Sequence, residues 1–242
     1  TITLGSSLTD SMKVDLGGGS NKLTLANGGD VGTVSNVNTL IGGTGTDTVT
    51  LGTAVTNGSV SLGASTDTLT LANGTNKVSV ASTGTVFGGT GADTVVLTGS
   101  MASMVVGGAG LNFITGNTAG DTYVFDQNSA NNYTTVENFS AAKGDKIALD
   151  TTGSETLTND TYNLGGAALA LNVDLADVTN AAGRIATTLN NGGNGGFVYE
   201  QDTGGLYYSA NGSFAGGGTL IGVITTNGST AWTFNASSFT QV

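Results

Sequence analysis

The sequence predicts an all-β fold: a right-handed parallel β-solenoid or β-roll, closed by a β-rich C-terminal cap that contains one short helix. Three observations predict it. Hydrophobic residues form 38% of the 242-residue chain and fall in short alternating runs such as Thr48-Val-Thr-Leu51, the pattern of half-buried strands and not of a linker. Glycine-rich turns punctuate those runs, with 41 glycines and no proline. The first half also repeats itself. Val14–Leu51 aligns without gaps to Val60–Leu97 at an offset of 46 residues.

Under that offset Leu23-Thr-Leu-Ala-Asn-Gly28 falls on Leu69-Thr-Leu-Ala-Asn-Gly74, and Gly42-Gly-Thr-Gly-Thr-Asp-Thr-Val49 falls on Gly88-Gly-Thr-Gly-Ala-Asp-Thr-Val95. A period of 46 residues is too long for one coil of short strands, so each repeat reads as two coils. Asn21, Asp47, Asp67, Asp93 and Asn112 end the turns, at spacings of 26, 20, 26 and 19. The shorter coil takes strands near 48–51 and 59–62; the longer takes 68–72, 76–80 and 84–87, with Asn73-Gly74 turning between the first two. Each strand offers two or three inward apolar residues, among them Leu69, Leu71, Val78 and Val80. Only stacked coils bury a continuous core from so few.

Within the turns, Gly42-Gly43-Thr44-Gly45-Thr46-Asp47 and Gly88-Gly89-Thr90-Gly91-Ala92-Asp93 follow the pattern G-G-x-G-x-D and lead into an aliphatic strand. Glycine permits positive φ, so such a turn can aim several carbonyl oxygens at one point. The aspartate adds a charged oxygen. Calcium takes 6–8 oxygen ligands at about 2.3–2.6 Å from flexible loops, and two turns stacked in register would supply that set; magnesium prefers rigid octahedral geometry with retained waters. Equally, Asp and Asn are ordinary turn formers, and the turns can be held by hydrogen bonds alone.

These nonapeptides resemble the RTX family, the haemolysin-type calcium-binding repeats exported by type I secretion. That resemblance implies a parallel β-roll with calcium between turns of successive coils. It assigns carboxylate ligands to Asp47 and Asp93, and carbonyl ligands to Gly42, Gly43, Gly45, Gly88, Gly89 and Gly91. Departures fall at four places. The turn ending in Asp67 is one residue shorter with a single glycine, and the turn ending in Asn21 is likewise shortened. Gly107-Gly108-Ala-Gly-Leu-Asn112 keeps the glycines but ends in an amide, and Gly116–Asp121 keeps the spacing with fewer glycines. Asp67, Gly107, Gly108, Asn112 and Asp121 complete the candidate metal set; sites that use an amide should be weak or empty. A few ions are expected rather than a full ladder.

The chain divides into repeats over residues 1–120 and a capping and export region over 121–242. In the second part Thr122–Asp126, Val136–Phe139 and Gly144–Asp150 read as short strands, a run similar to the flank that follows the last repeat in that family. Apolar residues at Leu175, Val178, Ala182, Ile185 and Leu189 suit one helix face, stopped at Gly192-Gly193. Gly196–Gly212 reads as a hairpin turning at Asp202–Gly205, similar to the family's tyrosine-rich hairpin, with Ser209 and Asn211 where Asp is usual. Its tyrosines would cover the open end of the solenoid. A strand at Leu220–Thr225 and an end, Trp232–Val242, that looks like an uncleaved type I export signal complete the reading.

Net charge is −11, with −3 over residues 1–116 and −8 over 117–242, which excludes the clustered Lys and Arg of a nucleic-acid surface. No cysteine means no disulfide or thiolate site, and no histidine removes the usual zinc ligand and general base. No apolar run is long enough to span a membrane as a helix. The expected function is that of a non-catalytic, calcium-binding structural segment of a secreted cell-surface protein, S-layer-like or adhesin-like, which folds on extracellular calcium. Its partners would be calcium ions, the type I secretion apparatus, and further copies of itself or cell-surface glycans. Two alternatives stay open: the C-terminal export domain of a secreted protease or lipase, and an ice-binding solenoid using Thr-x-Thr rows such as Thr48–Thr50 and Thr68–Thr70.

Overall fold

The computed structural model of the chain describes residues 1–10, 12–126, 132–150, 168–173, 196–200, 203–209, 218–226 and 238–240. Two compact units divide it, Thr1–Thr122 and Tyr123–Val242. It is all-β, with parallel stacked coils forming a β-solenoid of about seven turns. Among the described residues the only complete helical element is the 3-10 turn Ala141–Lys143. The helix expected over 175–189 lies outside the described residues.

In the first unit each coil contributes one strand to each of two parallel faces. The first face stacks Ile2–Thr3, Lys22–Thr24, Thr39–Ile41, residues 59–61, residues 77–81, Thr94–Thr98 and Asn112–Thr115. The second stacks Met12–Asp15, Val31–Ser35, Thr48–Leu51, residues 68–70, residues 85–87 and Met104–Val106. Alternation along each strand sends every second side chain inward. Leu23, Leu40, Val60, Val80 and Leu97 thus line up across successive coils and are buried, as are Val49, Leu69, Val86 and Val105 from the other face. Burying each such side chain contributes about 1.5–3 kcal/mol, shared with the coils above and below.

The coils are shorter than expected, and each repeat spans more of them. Leu23 pairs with Leu40 and Leu40 with Val60, so one coil is the stretch of chain from Leu23 to Leu40 and the next runs from there to Val60. Each carries two strands, never three. The 46-residue repeat therefore spans two and a half coils, not two. Strand 31–35 of the second face corresponds to 77–81 of the first, and 39–41 of the first corresponds to 85–87 of the second. Each copy is the other with its faces exchanged. Asn73-Gly74 turns the chain between strands 68–70 and 77–81 as expected, carrying it from the second face to the first.

In the second unit Gly196–Glu200 and Gly205–Ser209 form the expected hairpin, and Thr219–Ile224 pairs antiparallel with the latter. Residues 134–136 and 147–148 pair in parallel with 222–224 and 239–240. Tyr123, Phe125, Phe139, Phe197 and Tyr199 are fully buried. A Cβ on Gly222 would run into the Phe125 ring, so glycine there lets strand and ring pack closely.

Candidate cation-binding turns

Two edges join the two faces, one carrying a column of buried Asp and the other a column of Asn and Asp. The chemistry begins with a backbone problem. At each turn the chain leaves one face and enters the next, and its amides there have no strand partner. The side chain at the end of the turn supplies one. Along the first edge Leu8 N–H donates to Asp30 Oδ1 (2.6 Å), Asp30 N–H to Asp47 Oδ1 (2.8 Å), and Asp47 N–H to Asp67 Oδ1 (2.9 Å). Higher on that edge Ser103 N–H donates to Asp121 Oδ1 (2.9 Å). Along the second edge Asn21 N–H donates to Asn38 Oδ1 (2.7 Å), Val55 N–H to Asn76 Oδ1 (3.0 Å), Asn76 N–H to Asp93 Oδ1 (2.8 Å), and Asp93 N–H to Asn112 Oδ1 (3.0 Å).

Asp47 and Asp93 therefore do not stack in register. They end turns on opposite edges, because the repeat that relates them exchanges the faces. The single series from Asn21 to Asn112 mixes two columns. It also omits Asp30, Asn38 and Asn76, although their signal is present: each ladder residue stands two positions before an inward strand residue, as in Asp47-Thr-Val49, Asn76-Lys-Val78 and Asn112-Phe-Ile114.

What fills the middle of a turn depends on whether it ends in an amide or an acid. Asn76 Nδ2 donates to the carbonyls of Ala72 (2.8 Å) and Gly74 (2.9 Å), four and two residues back. Asn112 Nδ2 does the same to Gly108 (3.0 Å) and Gly110 (3.4 Å), and Asn21 Nδ2 to Gly17 (2.8 Å) and Gly19 (3.5 Å). The glycine two residues back has positive φ in each of these turns and also before Asp30, Asp47 and Asp93, at Gly28 (121°), Gly45 (126°) and Gly91 (119°). That one position needs glycine.

An aspartate at the end of such a turn places an acceptor where asparagine places a donor. Asp30, Asp47 and Asp93 are buried to within 1% of full enclosure, and the Oδ2 of each has no hydrogen-bond partner. Asp67 and Asp121 differ. Asp67 Oδ2 accepts from Ala64 N–H (2.6 Å) and Asp121 Oδ2 from Asn117 N–H (3.1 Å). Of the side chains singled out in the sequence, then, Asp47 and Asp93 keep a free oxygen. Asp67, Asp121 and Asn112 spend theirs on the protein's own amides.

A carbonyl oxygen of the next coil stands near each of the free oxygens of Asp47 and Asp93. The position that a Cβ would take on Gly42 falls on the Leu62 carbonyl oxygen of the next coil and 2.7 Å from Asp47 Oδ2. On Gly88 it falls on the Gly107 carbonyl oxygen and 3.1 Å from Asp93 Oδ2. Of the remaining carbonyls expected as ligands, Gly43 O lies against Gly63, and Gly89 O accepts from Ala109 N–H (2.9 Å). Burial raises the Asp47 carboxyl above its ordinary range; the Asp30 amide opposes this, the Asp67 and Asp30 carboxylates add to it, and the Gly43 amide opposes it weakly. Burial likewise raises Asp93, against hydrogen bonds from the Asn76 side chain and amide.

A buried carboxylate oxygen without a hydrogen-bond partner, with a carbonyl oxygen of the next coil near it, suits a hard cation. Among the described residues no three acidic, histidine or cysteine side chains converge on one point, so each turn would hold a cation mainly through carbonyls, with one carboxylate. Comparison with protein-family models, curated sequences and solved structures gives no match to this chain.

Proposed function

We propose that this chain is a calcium-stabilised, non-catalytic β-solenoid segment of a secreted bacterial cell-surface protein, of the RTX type that its nonapeptides resemble. The observation that carries the reading is the buried, unpartnered Oδ2 of Asp47 and of Asp93, each beside a carbonyl oxygen of the next coil. An unpaired buried charge costs several kcal/mol unless something compensates it. A divalent ion in the turn would do so, and would tie two coils together. Asp47 and Asp93 would be the carboxylate ligands, with Leu62 and Gly107 among the carbonyls. Extracellular sites of this kind bind at about 10⁻⁴–10⁻³ M, so the turns would be loose during export and would close outside the cell.

Titrating calcium into chelator-treated protein, followed by circular dichroism and calorimetry, tests this. A saturable gain of β signal with heat of binding is expected. An unchanged spectrum with no heat would sink the proposal.

One observation favours a second reading. Thr48, Thr68 and Thr85 form one outward row on the second face and Thr33, Thr50 and Thr70 another, with strands about 4.8 Å apart. A regular hydroxyl grid of that kind would fit an ice lattice, and a thermal-hysteresis assay decides it. The rows cross only three strands each, which ranks this reading second.

A further inference from the structure

The turn Ala26–Asp30 carries no nonapeptide, and it is the same turn as Ala72–Asn76 built a second time. The repeat places Leu23–Gly28 on Leu69–Gly74 residue for residue, and Asp30 on Asn76. Gly28 and Gly74 share positive φ, at 121° and 105°. In the Asn76 copy the carbonyls of Ala72 and Gly74 are satisfied by the side-chain amide at 2.8 and 2.9 Å. In the Asp30 copy the matching carbonyls belong to Ala26 and Gly28, and the atom in place of the amide nitrogen is a carboxylate oxygen. Asp30 is fully buried; its Oδ1 is taken by the Leu8 amide (2.6 Å) and its Oδ2 has no partner. A further oxygen stands close. The Cβ position on Gly43 falls on the Ala26 carbonyl oxygen and 3.1 Å from Asn27 Oδ1.

We infer that the Ala26–Asp30 turn is a divalent-cation site, formed by Asp30 Oδ2, the carbonyls of Ala26 and Gly28, and Asn27 Oδ1. Asn76 is its internal counterpart: there an amide built into the chain does what an ion does at Asp30. This deepens the function proposed above and rests on it. Asn21 and Asn112 extend the rule, since each closes its own turn through the same pair of carbonyl positions. Among turns with a positive-φ glycine two residues before the end, whether an ion is needed is thus decided by a single atom of the last side chain.

The test counts calcium ions bound to the full chain by equilibrium dialysis with metal analysis, and follows melting in chelator. Asp30→Asn should bind one ion fewer than wild type. It should melt no lower than wild type in chelator, because the new amide can donate to Ala26 and Gly28. Asn76→Asp should bind one ion more and melt lower in chelator. Asp47→Asn is the control for the nonapeptide site. If Asp47→Asn loses an ion while Asp30→Asn keeps the wild-type count, the Asp30 site is wrong and the general proposal stands. A wild-type protein that binds no ion overturns both. Should Asp30→Asn fail to fold, Asn76→Asp still decides, and an unchanged count in that variant rejects the inference.

Discussion

The two edges of the solenoid solve one problem with different chemistry. Along the first, Asp30, Asp47 and Asp67 follow one another, each carboxylate receiving the amide of the one before, so three negative groups stack within successive coils. Along the second, Asp93 sits between Asn76 and Asn112, and the Asn76 side chain donates to it directly (2.8 Å). The same hydrogen-bond ladder runs up both. Repulsion accumulates on the first edge and is diluted by amides on the second. Stability of the first edge should therefore depend on what the solvent supplies, and that of the second largely on the chain itself.

Removing calcium should break this comparison open most widely. Hydrogen exchange in chelator should rise through the turns ending at Asp30 and Asp47 well before those ending at Asn76 and Asn112, because local opening follows local compensation. Equal loss of protection on both edges would contradict the asymmetry.

A smaller effect sharpens it at one atom. Gly42→Ala puts a methyl on the Leu62 carbonyl oxygen and against Asp47 Oδ2, so a loss of about 3 kcal/mol or more is expected in thermal or denaturant unfolding. Gly18→Ala meets nothing within 4 Å and should stay within about 0.5 kcal/mol of wild type. Similar values for the two would mean that the turn is looser than its geometry.

The smallest effect is on pH dependence. In metal-free protein burial raises Asp47 and Asp93 above their ordinary 3.8, so in the window just above 3.8 the native state holds protons that the unfolded chain has lost. Stability should fall as pH rises through that window, and level off once the folded carboxyls have ionised. Melting temperatures in chelator from pH 4 to 7 read this. The slope should flatten for Asp47→Asn and for Asp93→Asn, each of which removes one raised carboxyl.

Much of this is legible in the residues. Alternation at Thr48–Leu51, the glycine turns and the Gly196–Ser209 hairpin all follow from local pattern, because strand period and turn chemistry are short-range signals. The winding is not. Turns that lack paired glycines, such as those ending at Asn38 and Asn76, escape a reading keyed to glycine, which merges half-coils into coils too long by a strand. Asp30 escapes although Gly28-Gly29 precede it, because its turn lacks the full nonapeptide; the ladder is written in the Asx residue two places before an inward strand position. Spacing marks the Asp67 turn as one residue shorter than the Asp47 turn but does not say what becomes of the second carboxylate oxygen. That depends on whether the turn folds back far enough for its own amide, Ala64 N–H, to reach the second oxygen.

The half-coil left over in each repeat has a further outcome. Duplicating the unit plants the second copy on the reverse side, as leaves alternate on a stem, so a feature selected once becomes two-sided at a stroke. A third copy would return to the original side five coils along, roughly 24 Å at the spacing of neighbouring strands. Growth by this module would place each kind of turn alternately on one edge and the other.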